Sequence, residues 1–208
     1  MTVICVVDLD GTLIAENSFR QWIAFLGRWA LRNRRVVMLL RLALACALRL
    51  LRIGSHATLK RRVLSLSTSV DALSVHEFSR QLASRVRPEV CALVAQQAQS
   101  GCLIVLVTAA PDFYLGPIGE ALGADHVVAS PSVVTRGWRE LSGEAKLEAL
   151  ENRFGADVRL AVVLTDHADD APLVRRAERT IVVAPDAGSW KTLSAAGTNV
   201  ERLDPRPT

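Results

Sequence analysis

The run Val3-Ile4-Cys5-Val6-Val7-Asp8-Leu9-Asp10-Gly11-Thr12 decides how the rest of the chain reads. Its apolar start is rich in β-branched residues and stops at a polar cluster, the pattern of a strand buried on both faces of a parallel sheet. On an extended chain, residues two apart point the same way, so the Asp8 and Asp10 carboxylates can face one site. Gly11 lets the backbone turn sharply and approach a ligand closely. With a divalent cation to offset the charge, one carboxylate can attack covalently while the other carries a proton. The plainer explanation is a strand end closed by Asp in a tight turn, with Gly11 serving the turn.

Working outward, the same buried-strand pattern returns at Leu103–Val107, Leu160–Leu164 and Thr180–Ala184, and Val127-Val128 marks a shorter one. Helix-like segments lie between them, at Glu89–Gln99, Glu144–Arg153 and Asp170–Glu178. Strand alternating with helix predicts an α/β fold, a Rossmann-like parallel sheet with helices on both faces. Ligands of such sheets collect outside the carboxyl ends of the strands. Three of the strands run there into Asp8, Thr108 and Asp166.

The stretch 15–87 breaks the alternation. It holds no convincing strand, and runs such as Ser18–Leu51 and Thr58–Leu66 read as helices. We expect an all-helical cap inserted after the first strand, with 1–14 and 88–208 forming the α/β core. The tail from Asp204 to Thr208, with Pro205 and Pro207, is expected to fray.

Other residues gain meaning from their positions. A hydroxyl and a free backbone N–H at a strand's carboxyl end, as at Thr108 and Ala109, can hold a phosphoryl oxygen. Lys146, near a helix start, can offset negative charge. Asp166, Asp169 and Asp170 put three acids within five residues after a buried strand, which suits a hard cation. Alone, Thr108 passes for a strand-end or capping residue, Lys146 for a solvated helix residue, and Asp169 and Asp170 for a helix N-terminus.

Together, in this order and on these elements, Asp8-Leu9-Asp10-Gly11-Thr12, Thr108, Lys146 and Asp166 with Asp170 resemble the four motifs of the haloacid dehalogenase superfamily. The resemblance covers about residues 1–14 and 99–190. The helical insertion, and Thr108-Ala109-Ala110-Pro111 followed by Tyr114, are similar to the branch containing phosphoserine phosphatase. The resemblance implies an Mg²⁺-dependent phosphatase with Asp8 as nucleophile, forming an aspartyl-phosphate, and Asp10 as general acid and base. It implies that Thr108 and backbone N–H groups near Gly11 and Ala109 hold the phosphoryl group. Lys146 would stabilise its charge, and Asp166 would ligate the metal beside the Asp8 carboxylate and the Asp10 carbonyl. Asp170 would be an outer-shell or second acidic partner of the metal; Asp169 stands where relatives often carry Asn.

Substrate choice lies in the cap. Phosphoserine phosphatases carry an acid nine positions after the nucleophile to bind the substrate's amino group; here that position is Asn17, with the acid Glu16 one residue before it, and Asn17 becomes the candidate substrate contact. A small phosphorylated metabolite is the expected substrate. The alternative is a lipid-linked phosphate at a membrane surface, because the arginine-rich, apolar cap and Asp169-Asp170-Ala171-Pro172-Leu173 are also similar to bacterial phosphatidylglycerophosphate phosphatases of the superfamily. That relative has membrane-spanning character in its cap that this chain lacks. The cap is thus a candidate for peripheral membrane contact, although a bundle helix burying its apolar side against its neighbours is the simpler expectation. A non-catalytic phospho-ligand-binding relative would have lost one of the acids, and none is lost.

Bulk properties agree. The chain has 208 residues, a net charge of +4 and half its residues hydrophobic, enough for a substantial core and suited to an anionic partner. Nucleic acid is not expected, because the arginines lack interleaved aromatics. The longest uninterrupted apolar piece of the cap, Leu42–Leu48, is far below the roughly 20 residues of a spanning helix. Cys5, Cys46, Cys91 and Cys102 show no CxxC spacing and read as small apolar residues of a reducing compartment. No secretory signal precedes Asp8, so a cytoplasmic location is expected.

Overall fold

The structure, a computed structural model, describes residues 2–205. Of the expected fraying tail, 206–208 lie outside the described residues. The first strand, β1 (Val3–Val7), sits inside a parallel sheet with β2 (Leu103–Pro111) on one side and β4 (Arg159–Thr165) on the other. β3 (His126–Ser130) continues the sheet beyond β2, and β5 (Ala177–Val183) and β6 (Val200–Leu203) continue it beyond β4. The order is therefore β3-β2-β1-β4-β5-β6, the Rossmann-like arrangement expected. Val7 is level with both Leu106 and Leu164, so Asp8 and Asp166, just past β1 and β4, stand at nearly one height with Thr108, which is still within β2 because that strand runs on to Pro111.

The helices explain why the sheet is apolar on both faces. Cys5, Val7, Ile104, Leu106, Val162 and Leu164 pack on one side; Ile4, Val6, Val105, Val107 and Val163 pack on the other. The second side is covered by α7 (Glu144–Phe154) and α8 (Ala171–Arg176) through Leu150 and Leu173. The first side is covered by α5 (Pro88–Gln99) and α6 (Gly116–Leu122).

Four helices fill the stretch between β1 and α5: α1 (Ser18–Arg32), α2 (Val36–Leu50), α3 (His56–Ser67) and α4 (Ala72–Ala83). Their core residues Phe19, Trp22, Val63 and Phe78 belong to the same apolar cluster as the first sheet face. Trp22 stacks on Phe25 and meets Phe78, Phe113 and Tyr114 at 4.9–6.0 Å between ring centres. Each such pair contributes about 0.5–1.5 kcal/mol beyond burial, which ties the inserted helices to the segment after β2.

Three expectations need correction. The run Ser18–Leu51 is two helices, broken where Asn33 caps α1 and Arg34 turns left-handed at φ 54°. The helix expected over Asp170–Glu178 ends at Arg176, because Ala177 and Glu178 already pair in β5. Most consequentially, the apolar stripe of α2 is not buried. Met38, Leu42 and Ala45 face inward, while Val36, Ala43, Ala47 and Leu50 are exposed. The four cysteines are free thiols, with Cys5 buried and the others half-buried.

Candidate active site

Asp8, Asp10, Gly11, Asn17, Thr108, Ala109, Lys146, Asp166 and Asp170 all line one cleft of about 400 Å³ at the carboxyl ends of β1, β2 and β4. A larger cavity of about 690 Å³, between α3, α4 and the segment after β3, has His76 as its one ionisable side chain and is a poor place for acid-base or phosphate chemistry.

Asp8 extends the β1–β4 ladder, its N–H donating to the Leu164 carbonyl at 3.0 Å. Its buried carboxylate accepts from Lys146 Nζ at 2.8 Å. The same ammonium donates to Asp170 Oδ2 at 3.0 Å, and Thr165 Oγ1 donates to that oxygen at 2.7 Å. Asp170 Oδ1 also lies 2.8 Å from Lys146 Nζ, as an ion pair by distance, but off the angle for a hydrogen bond and with no other partner. Burial pushes Asp8 up to about 8, against the pull of Lys146 and with a further push from Asp170 and Asp166. Lys146 rises above its usual range: burial opposes this, but the charges of Asp8 and Asp170 outweigh it.

Asp10 is held differently. Its Oδ1 accepts from the Ser18 N–H, at the first turn of α1, at 2.7 Å. Burial raises its pKa despite that bond. Ser18 Oγ in turn shares a hydrogen bond with Tyr114 Oη at 3.1 Å, in full burial. Asp166 accepts from Thr12 Oγ1 at 3.1 Å, and burial raises its pKa too. Gly11, at φ 82°, is required on two counts: the left-handed backbone, and a Cβ there would overlap the Asp166 carboxylate. Thr108 Oγ1 accepts from the Ala110 N–H at 3.0 Å, which leaves its own hydrogen free to donate. Asn17 caps α1, its Oδ1 accepting from the Arg20 N–H at 2.9 Å, so its side-chain NH₂ is the part left for a ligand.

A profile of the family described as haloacid dehalogenase-like hydrolase matches residues 5–175. The chain belongs to that family. A "Probable phosphatase" of Mycobacterium tuberculosis is 28% identical over 91% of this chain and 71% of its own length. A Bordetella pertussis protein of unknown function shares the fold at TM-score 0.76 and 20% identity, covering 97% of this chain and 98% of that one. A phosphoserine phosphohydrolase-like protein from Francisella tularensis does so at TM-score 0.58 and 18% identity, over 96% of this chain and 94% of that one. A hydrolase with the fold of phosphatases is what the motif order implied.

The donors of this haloacid dehalogenase-like hydrolase fit a divalent cation. Asp8, Asp166 and Asp170 outnumber the single ammonium among them, Lys146, and Asp170 Oδ1 lacks a hydrogen-bond donor. Oxygen donors and an excess of negative charge suit a hard cation such as Mg²⁺. Among the described residues no three His, Cys, Asp or Glu side chains gather into a ready-made cage. The groups that could hold it are the Asp8 and Asp166 carboxylates and the Asp10 main-chain carbonyl, all at the cleft. Asp170 is committed to Lys146 and Thr165, which favours an indirect place for it.

Two residues escaped the reading of the sequence. Arg87, just before α5, donates from Nη1 to the Gly11 carbonyl at 2.6 Å and to that of Thr12 at 3.2 Å, clasping the turn after Asp10. Lys60 of α3 is buried, pairs with Glu140 and donates to the Ala109 carbonyl at 2.6 Å, where Ser130 Oγ also donates at 2.7 Å. The peptide so held is the one whose N–H bonds Thr108 Oγ1. No local pattern marks either residue, because each acts across about 50 or more positions of the chain.

Proposed function

We propose that this chain is an Mg²⁺-dependent phosphatase that hydrolyses phosphate monoesters through an aspartyl-phosphate on Asp8. One observation carries the reading. The Asp8 carboxylate is buried at a strand end, held by Lys146, and opens on a cleft that Asp10, Thr108 and Asp166 also line. In the first step an Asp8 oxygen bonds to phosphorus, the bond to the ester oxygen breaks, and Asp10 gives its proton to that oxygen. In the second, water loses a proton to Asp10 and attacks phosphorus, the bond to Asp8 breaks, and inorganic phosphate leaves. The raised pKa of Asp10 suits a group that must arrive protonated. Thr108 and the N–H groups near Gly11 and Ala109 orient the phosphoryl oxygens, and Lys146 offsets their charge. A divalent cation held by Asp8, Asp166 and the Asp10 carbonyl, with Asp170 behind, would neutralise the phosphoryl charge further.

Residues 15–87 serve in this reading as a cap that chooses the substrate, on a core of 1–14 and 88–208. A small phosphorylated metabolite suits the cleft's size. Asn17 stands at the position of the amino-group acid, and the neighbouring acid Glu16 is paired with Arg85, which argues against recognition of an amino group there. A second reading, a lipid-linked phosphate, draws on the exposed apolar stripe of α2. The test is a panel of phosphorylated metabolites and an aryl phosphate. Turnover with Mg²⁺, lost in excess chelator and restored by added Mg²⁺, is the expected result; no turnover anywhere on the panel overturns the reading.

Lys60 gives a finer test. Removing a charged hydrogen bond costs about 1.5–3 kcal/mol, so Lys60→Met should lower kcat on an aryl phosphate about tenfold or more through a misplaced Thr108. Lys60→Arg should recover part of the loss. Unchanged kinetics in Lys60→Met would remove Lys60 as a positioning residue.

A further inference from the structure

Seven large apolar side chains of α2 and the turn after it stand in water: Val36, Val37, Leu40, Leu44, Leu50, Leu51 and Ile53 are each 59–83% exposed. On the helix they form the side opposite Met38, Leu42 and Ala45, the side turned inward toward the protein. Scattered exposed apolar residues are ordinary, but a contiguous stripe marks a surface that another phase or molecule covers.

Charge says which. From Asn17 to Val70 there are eleven Lys and Arg and no Asp or Glu, out of 25 bases and 21 acids in the chain. The remaining 14 bases and 21 acids make the rest of the chain net −7, so the modest total of +4 hides a segment of +11. Outside this segment six of the eleven described arginines form ion pairs, for example Arg159 with Glu178, Arg176 with Glu151 and Arg179 with Glu201. Among the described residues none of Arg28, Arg32, Arg34, Arg35, Arg41, Arg49 and Arg52 forms an ion pair. The acids Asp71 and Glu77 share a pocket with Arg28 and Arg32.

Backbone strain adds an independent sign. Arg34 at φ 54° and Arg52 at φ 59° occupy the left-handed positions that close α1 and α2, with the closing bonds Arg35 N–H to Ala30 O and Ile53 N–H to Leu48 O. Glycine is the common residue at such a position, and a side chain there costs about 1 kcal/mol or more. Both turns bounding the stripe carry an arginine instead. Such strain is commonly kept where a side chain has work to do.

We propose that α2 and its two bounding turns dock on an anionic lipid bilayer, with the apolar stripe at the headgroup boundary and the turn arginines Arg34, Arg35 and Arg52 on lipid phosphates. A second copy of the chain is a poor occupant. Two-fold pairing would set unpaired arginines against one another, and the other large apolar side chains left exposed, Leu73, Val127, Val133 and Val134 among them, are too few to cover the stripe head-to-tail. α1 separates one end of the stripe from the Asp10 contact by its 15 residues, about 22 Å. The other end leads through His56, packed edge-on to Phe19, to Lys60 on the Ala109 carbonyl. Docking stands apart from the phosphatase reading, since it requires no turnover.

The test is co-sedimentation of the full chain with vesicles of phosphatidylcholine plus phosphatidylglycerol, against phosphatidylcholine alone. We expect binding to the anionic vesicles only, weakened by salt. Leu40→Ser/Leu44→Ser should lose that binding with the melting temperature retained. Arg34→Gly/Arg52→Gly should raise the melting temperature yet weaken binding about fivefold per arginine, a combination that simple structural damage does not produce. No binding to anionic vesicles at low salt, binding indifferent to both double variants, or a wild-type dimer that Leu40→Ser/Leu44→Ser makes monomeric would each overturn the proposal.

Discussion

Asp8→Asn loses phosphomonoester turnover by at least about 10⁴-fold while the protein stays folded. Asparagine keeps the shape of the side chain and an oxygen that can accept from Lys146 Nζ, which sits 2.8 Å away. It removes the nucleophilic oxygen, so no phosphoenzyme can form. It also removes one of the like charges crowded beside Asp166 and Asp170, so the variant should be no less stable than the parent. The pH dependence carries the same logic. Asp8 is pushed up to about 8 by burial, so between its ordinary range and that value the folded protein holds a proton the unfolded chain has released. Stability therefore falls as pH rises through this window. The raised directions of Asp10 and Asp166 add to the same slope. In chelator, the melting temperature of the parent should fall from mildly acidic pH to pH about 8, and that of Asp8→Asn should fall less. Single-turnover kinetics and melting curves on the two proteins check both halves. Activity surviving in Asp8→Asn would overturn the covalent mechanism.

What could be read in the sequence follows from where the physics is local. β1, β2, β4 and β5 announce themselves because central parallel strands, buried on both faces, are written as unbroken β-branched runs. β6 does not, since Val200-Glu201-Arg202-Leu203 at the sheet edge is short and half charged. The acids, Thr108 and Lys146 were legible because each stands at a strand end or helix start, and a parallel sheet brings those ends together. Lys60 and Arg87 were not, because what they touch is decided by the tertiary fold. The division of Ser18–Leu51 was hidden for a related reason: Arg34 takes a left-handed position that glycine or asparagine usually signals. The facing of α2 was beyond reach as well. Periodicity finds an apolar stripe, but only the neighbours decide whether Val36 and Leu44 or Met38 and Leu42 turn inward.

Lys146→Met should be the most destabilising single change at the site, and its cost should grow with pH. The ammonium is buried and is the hydrogen-bonding cation of both Asp8 and Asp170. Without it two buried carboxylates remain, one of them with Thr165 as its one donor. Breaking a buried ion pair by deleting one partner costs about 3–5 kcal/mol, or roughly 6–20 °C of melting temperature for a chain of this size. Asp8 can escape part of that cost by taking up a proton, since burial already pushes it up to about 8. The deficit should thus be small in mild acid and largest above pH 8, the opposite of what a simple packing defect would give. Adding Asp170→Asn should restore part of the lost stability, because the second variant removes the charge that the first left unpaired. The hydrolytic rate should stay low in both, by about 10²–10³-fold, since neither restores a cation beside the phosphoryl group. Melting temperatures of the parent, the two single variants and the double across this pH range separate the explanations. A deficit in Lys146→Met that ignores both pH and Asp170→Asn would show that Lys146 matters for its volume and not its charge.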